Sequence, residues 1–175
     1  MATFTERIIR AAKLDTRLYE EVEADEQATM QAMAVVLLSS VAAGVGAPGG
    51  GLGRILVGGI VALVGWFIWA YLTYWIGTRL LPEASTHADH GQLLRTIGFA
   101  SAPGLIRVLG VFPGLTWIVF HAAGIWMLVA TVIAVRQALD YRSTWRAVGV
   151  CAIGWVVYVV IGVAVWLLLG PRAPA

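Results

Sequence analysis

The ten carboxylates of this chain fall in three groups, and five long apolar stretches contain none of them. Asp and Glu stand at 6, 15, 20, 21, 23, 25 and 26, then at 83 and 89, then at 140. A bilayer core needs about 20 apolar residues per helix, and a carboxylate inside one is costly enough to be rare. Five stretches have that character, at about 28–47, 55–81, 96–112, 115–139 and 144–169. The expected fold class is all-α: a polytopic membrane bundle of five transmembrane helices.

Composition closes off the alternatives. Charged residues make up 13% of the chain, against about 25% in soluble domains. The net charge of +2, with no basic stripe interleaved with aromatics, speaks against nucleic-acid binding. Cys151 is the single cysteine and can form neither an intrachain disulfide nor a metal cluster alone. Twelve basic residues include only one lysine, Lys13, a bias that fits a GC-rich bacterial genome.

Residues 1–26 are too charged for a secretory signal. At 100° per residue, Phe4, Ile8, Leu14, Leu18 and Val22 share one arc, and Glu6, Arg10, Lys13, Arg17, Glu20 and Glu21 lie opposite. That pattern predicts an N-terminal amphipathic helix lying in the membrane interface, the alternative being a helix packed on the protein's own cytosolic loops, with Asp15 as the N-cap of a second helical piece. The expected organisation is a cytosolic amphipathic segment at 1–26, a five-helix domain at 27–170 and a short tail at 171–175.

Basic residues then orient the chain. With five spans, Arg7, Arg10, Lys13, Arg17, Arg79, Arg95, Arg136, Arg142 and Arg146 share one side, and Arg54, Arg107 and Arg172 the other. The positive-inside rule places the N-terminus in the cytoplasm and the C-terminus outside the inner (plasma) membrane.

Few motifs carry chemistry. Gly44-x-Gly46-x-x-Gly49 follows a membrane helix rather than a strand, so it reads as a turn. His87, Asp89 and His90 offer metal-ligand types, but Thr86-x-x-Asp89 also reads as a capping box. Ser101 and His121 lack the glycine turn that would present a serine nucleophile. No catalytic residue, cofactor site or metal site is expected.

Pro103 and Gly104 should break the third span. Arg107 and His121 flank Pro113 in an antiparallel hairpin, so they are candidates for an intramembrane polar pair; the alternative is an Arg107 that snorkels outward. Small residues four apart, at Ser40/Gly44, Ala42/Gly46, Gly58/Ala62 and Ala130/Ala134/Ala138, allow close helix approach within the bundle or between copies. Arg136, Asp140, Arg142 and Arg146 form a cytosolic charge cluster, with ion-pair spacing between the first two.

The run Thr96-Ile-Gly-Phe-Ala-Ser-Ala-Pro-Gly104 and the stretch from Ile125-Trp-Met-Leu to Arg136-Gln-Ala-Leu-Asp140 resemble the Yip1 domain family, most of all its bacterial members. The resemblance implies a five-helix membrane domain with a cytosolic N-terminus and an outward C-terminus. It implies no catalytic residues. Eukaryotic members act in vesicle traffic and bind prenylated small GTPases. Their acidic-aromatic element before the first span is missing here, so GTPase binding is not carried over.

The sequence thus leads to a non-enzymatic scaffold, adaptor or membrane-organising protein, with the lipid bilayer, other membrane proteins or its own copies as partners. The alternative is a transporter or channel subunit with a cavity at the broken third helix.

Overall fold

The computed structural model describes residues 2–49 and 51–169, and the expected 171–175 tail lies outside them. A capping box between Thr3 and Glu6 starts α1 (Phe4–Ala12), which ends at a turn holding Leu14 at φ 60°. Asp15 accepts from the Arg17 amide and starts α2 (Thr16–Ala24), in the N-cap role expected of it. Five longer elements follow: α3 (Ala28–Gly46), α4 (Leu52–Trp75, prolonged by a π turn at Ile76–Leu80), α5 (His90–Phe99) with a 3₁₀ segment (Ala102–Val111), α6 (Thr116–Ala138) and α7 (Thr144–Leu169). All five are long and apolar enough to cross a membrane.

The third span departs most from expectation. It begins at His90, because Asp89 and Gln92 form a reciprocal capping box there; Thr86 instead accepts from the Glu83 amide. α5 stops at Phe99, and the chain resumes as 3₁₀ helix from Ala102, with Pro103 in its first turn. A 3₁₀ helix rises about 2.0 Å per residue and rarely runs beyond one turn. Here it carries the half of a whole span that lies away from the start of α5.

This broken span is also the centre of the bundle. Its apolar window is 61% buried, against 17–33% for the other four. Its main neighbour is α3, and small residues set the spacing: a Cβ on Gly98 would strike Ala32, and one on Gly46 would strike the backbone at Arg107. Ala130, Ala134 and Ala138 are fully buried, Gly44 meets Ile55, and Gly58 meets Ser40. The small-residue faces are therefore used inside the bundle.

The two ends of the bundle differ in kind. One end, called the charged end below, carries α1, α2, the 81–89 loop and the 139–143 turn. The other is made of two tight turns, with Gly49 and Gly114 at φ 67° and 85°.

The interfacial helix is corrected by the packing. Leu18, Tyr19 and Val22 are fully buried, because α2 lies across α5 and α6. Phe4, Ile8 and Leu14 pack partly against the same core. The apolar arc faces the protein's own helices, and Leu18 and Val22 have no surface left for lipid.

Candidate functional site

Two polar constructions stand out, one at the charged end and one within the spans. At the charged end, Arg7 is buried and bonds Glu21 at 3.0 Å, Asp25 at 2.9 Å and Gln31 at 2.9 Å. Arg10 reaches Asp15 at 2.8 Å and Glu21 at 2.7 Å. Burial pushes the Glu21 carboxyl up, but hydrogen bonds from Arg10 and Arg7 outweigh it and hold the group below the usual carboxylate range. Arg10 lowers Asp15 in the same way. These pairs lock α1, α2 and the base of α3 together.

Arg95, 6% exposed, ties this cap to the third span. Its Nε donates to the Val22 carbonyl at 3.0 Å and its Nη2 to that of Glu23, so it satisfies the last carbonyls of α2. Burial, with Asp140 nearby, pushes the Glu23 carboxyl up to about 7 against the pull of Arg95. On the other flank, Glu83 bonds the Arg142 amide at 2.9 Å and the Arg146 guanidinium at 3.4 Å. Arg136, in the last turn of α6, donates to the carbonyls of Tyr141 and Arg142 in the turn that follows, rather than pairing with Asp140. Of the expected cluster of Arg136, Asp140, Arg142 and Arg146, Glu83 from outside it thus holds Arg142 and Arg146, while Arg136 bonds the turn itself.

His90 lies among Phe67, Tyr71 and Tyr74, with ring centroids 5.7–6.3 Å away and its Nε2 buried without a partner. Asp89 serves as the α5 cap. Among the described residues no group of three or more His, Cys, Asp or Glu side chains converges on a metal position.

Within the spans, a cavity of about 450 Å³ lies beside the helix break. Ser39, Ser40, Ser101 and Arg107 supply its polar wall, and Trp66, Trp69 and Trp155 much of the rest. Arg107 enters it from an unexpected direction. Its backbone carbonyl lies against Gly46, the last residue of α3, yet its Nη2 donates to Ser39 Oγ at 2.9 Å and to Met127 Sδ at 3.1 Å. Ser39 is two turns deeper, about 10 Å at 1.5 Å per residue. Met127 is the midpoint of α6, about 16 Å from either end. The side chain turns inward instead of snorkelling out.

The Arg107–His121 pair is therefore corrected. His121 Nδ1 contacts the carbonyl of Trp117 at 2.7 Å and its ring stacks on that indole at 4.3 Å, while Arg107 reaches past it to deeper residues. Gly104 makes the inward turn possible, because a Cβ there would fall on Ser39 Oγ and on the guanidinium. Pro103 and Gly104 are both buried at the break. Sequence reasoning missed Ser39 and Met127 as the neighbours of Arg107, and periodicity holds no signal for such a choice.

The match to known sequences decides the kinship. Residues 19–166 match the Yip1 domain, most of the chain. The chain belongs to the Yip1 domain family. The match starts within α2 and takes in all five spans, so the broken third span lies inside the shared region of this Yip1 domain. The Yip1 family is not a known enzyme family. No curated protein and no solved structure gives a significant match to the chain.

Proposed function

We propose that this Yip1 protein works without catalysis, as a scaffold or adaptor of the inner membrane, with its charged end in the cytoplasm. The observation that carries the reading is the built cap at that end: α1 and α2 are locked together by ion pairs, and α2 is docked on α5 and α6 and tied down by Arg95. An ordered polar surface suits contact with a protein. Nine basic and ten acidic residues gather there, a near balance that does not suit simple attraction to anionic lipid. Lys13, Arg17, Glu26 and His87 stay exposed on it as contact groups. The positive-inside count supports the cytoplasmic placement of this end and an outward C-terminus.

In-cell photo-crosslinking from positions 13, 17, 26 and 87 tests the reading. Recurrent capture of one membrane protein, or of a second copy, is expected. A cap that yields no discrete product at any of the four positions contradicts it.

A second reading, a transporter or channel subunit, is favoured by one observation: the cavity at mid-membrane depth beside Ser101 and the broken helix. No carboxylate stands in the spans to carry a proton or cation. Solute flux in proteoliposomes that is abolished by Ser101→Trp would raise this reading above the first.

A further inference from the structure

We infer that the cavity around Arg107 binds the anionic headgroup, phosphate or carboxylate, of a membrane amphiphile whose hydrocarbon chain lies in the groove next to it. The inference stands on the cavity alone and does not depend on the role of the charged end.

The charge comes first. A guanidinium in the middle of a bilayer costs several kcal/mol unless something compensates it. All ten carboxylates lie at the charged end, so the chain holds no counter-ion for Arg107 within its spans. What Arg107 does bond is weak for a cation: one hydroxyl, one thioether and the Gly104 carbonyl at 3.1 Å. Arginine has five N–H donors, and Nη1 makes no hydrogen bond among the described residues. A planar fork with free donors suits a phosphate or carboxylate.

The hydroxyls give a second, independent sign. Thr73, Thr78, Thr96 and Thr131 all donate back to carbonyls of their own helices, the usual way to satisfy a hydroxyl in lipid. Among the described residues Ser40 and Ser101 make no such bond, and both line the cavity with Arg107. Two hydroxyls and a guanidinium thus converge with donors to spare.

The wall of the cavity indicates the rest of the ligand. Trp69 and Trp155 also line an adjoining groove of about 380 Å³, whose other residues include Leu128, Val132, Cys151 and Val156. A polar chamber joined to an apolar groove fits a head and a chain. Entry from the bilayer is open, since Trp155 and Tyr158 on the cavity wall are 63% and 44% exposed.

The full chain, purified in mild detergent, is examined by native mass spectrometry with phosphatidylglycerol, oleate, phosphatidylcholine or inorganic phosphate. One equivalent of phosphatidylglycerol or oleate is expected to stay bound, with retention down about tenfold or more in Arg107→Gln, as loss of a charge-assisted bond implies. Arg107→Lys should retain part of it, and Arg54→Gln, which removes a cation outside the cavity, all of it. Cys151→Trp fills the groove without touching a charge and should release the long-chain ligands, which keeps the inference testable if Arg107→Gln fails to fold. Equal retention by Arg107→Gln and the parent, or equal binding of phosphatidylcholine, overturns the inference. Binding of inorganic phosphate that competes with oleate overturns the amphiphile and leaves a free-anion site.

Discussion

Arg95 and Arg107 stand three helical turns apart on one broken span, and the bundle treats them in opposite ways. Arg95 is 6% exposed and gives its Nε and Nη2 to the terminal carbonyls of α2, so its cation is matched by the negative end of a helix. Arg107 turns to the middle of the span, meets a hydroxyl and a thioether, and lines a cavity. The charge of the first arginine is answered by the end of a helix dipole. The charge of the second meets only a hydroxyl, a thioether and one carbonyl beside a cavity, and the proposed anion site rests on that contrast.

The strongest challenge to this contrast is a matched pair of substitutions. Arg95→Met should lower the unfolding free energy in detergent by about 3 kcal/mol, because it strips charge-assisted bonds from two buried carbonyls. Arg107→Met should cost less than about 1 kcal/mol or add stability, as buried cations replaced by apolar groups often do. Equal losses in denaturant titrations would erase the distinction.

Leu18→Ala tests whether the cap that Arg95 secures is core. A loss of about 3 kcal/mol is expected for a fully buried leucine; a neutral result in thermal unfolding would return α2 to the lipid interface. Gly104→Ala sharpens the other half of the comparison. It should cost about 2 kcal/mol by overpacking, and Ser39→Ala in the same chain should relieve part of that cost, giving a non-additive double-mutant cycle.

The smallest effect is a pH dependence at the Arg95 contact. The folded state raises Glu23 from 4.5 to about 7, so it favours the protonated form. The stability this contributes is complete below about pH 4.5 and lost as pH rises through about 7. Melting curves from pH 5 to pH 8 should therefore show wild type losing stability while Glu23→Gln stays nearly flat, and a steeper loss in the variant would contradict the assignment.

The spans were legible because length and the exclusion of acid are one-dimensional properties. Their count, and the break near Pro103, follow from residue order alone. Partners were not legible. The periodicity of Phe4, Ile8, Leu14, Leu18 and Val22 reveals an apolar face, but lipid and protein cover such a face equally well, and only the docking of α2 on α5 and α6 decides between them. The start of the third span was obscured because Arg95 looks like a loop residue until the α2 carbonyls are brought to it across 72 residues of chain. Glu83 was passed over for the same reason, since its bond to the Arg142 amide spans 59 positions. Arg107 looked able to snorkel because helix rise gives the depth of a Cα, not the direction of a six-bond side chain.

The most direct measurement is the shift in melting temperature that an anionic amphiphile produces in the parent chain, Arg95→Met and Arg107→Met. A ligand that binds only the folded state must stabilise it in proportion to its occupancy. The account predicts that phosphatidylglycerol raises the midpoint of the parent and of the weakened Arg95→Met protein by similar amounts, and leaves Arg107→Met unmoved. An equal shift in all three proteins would contradict it.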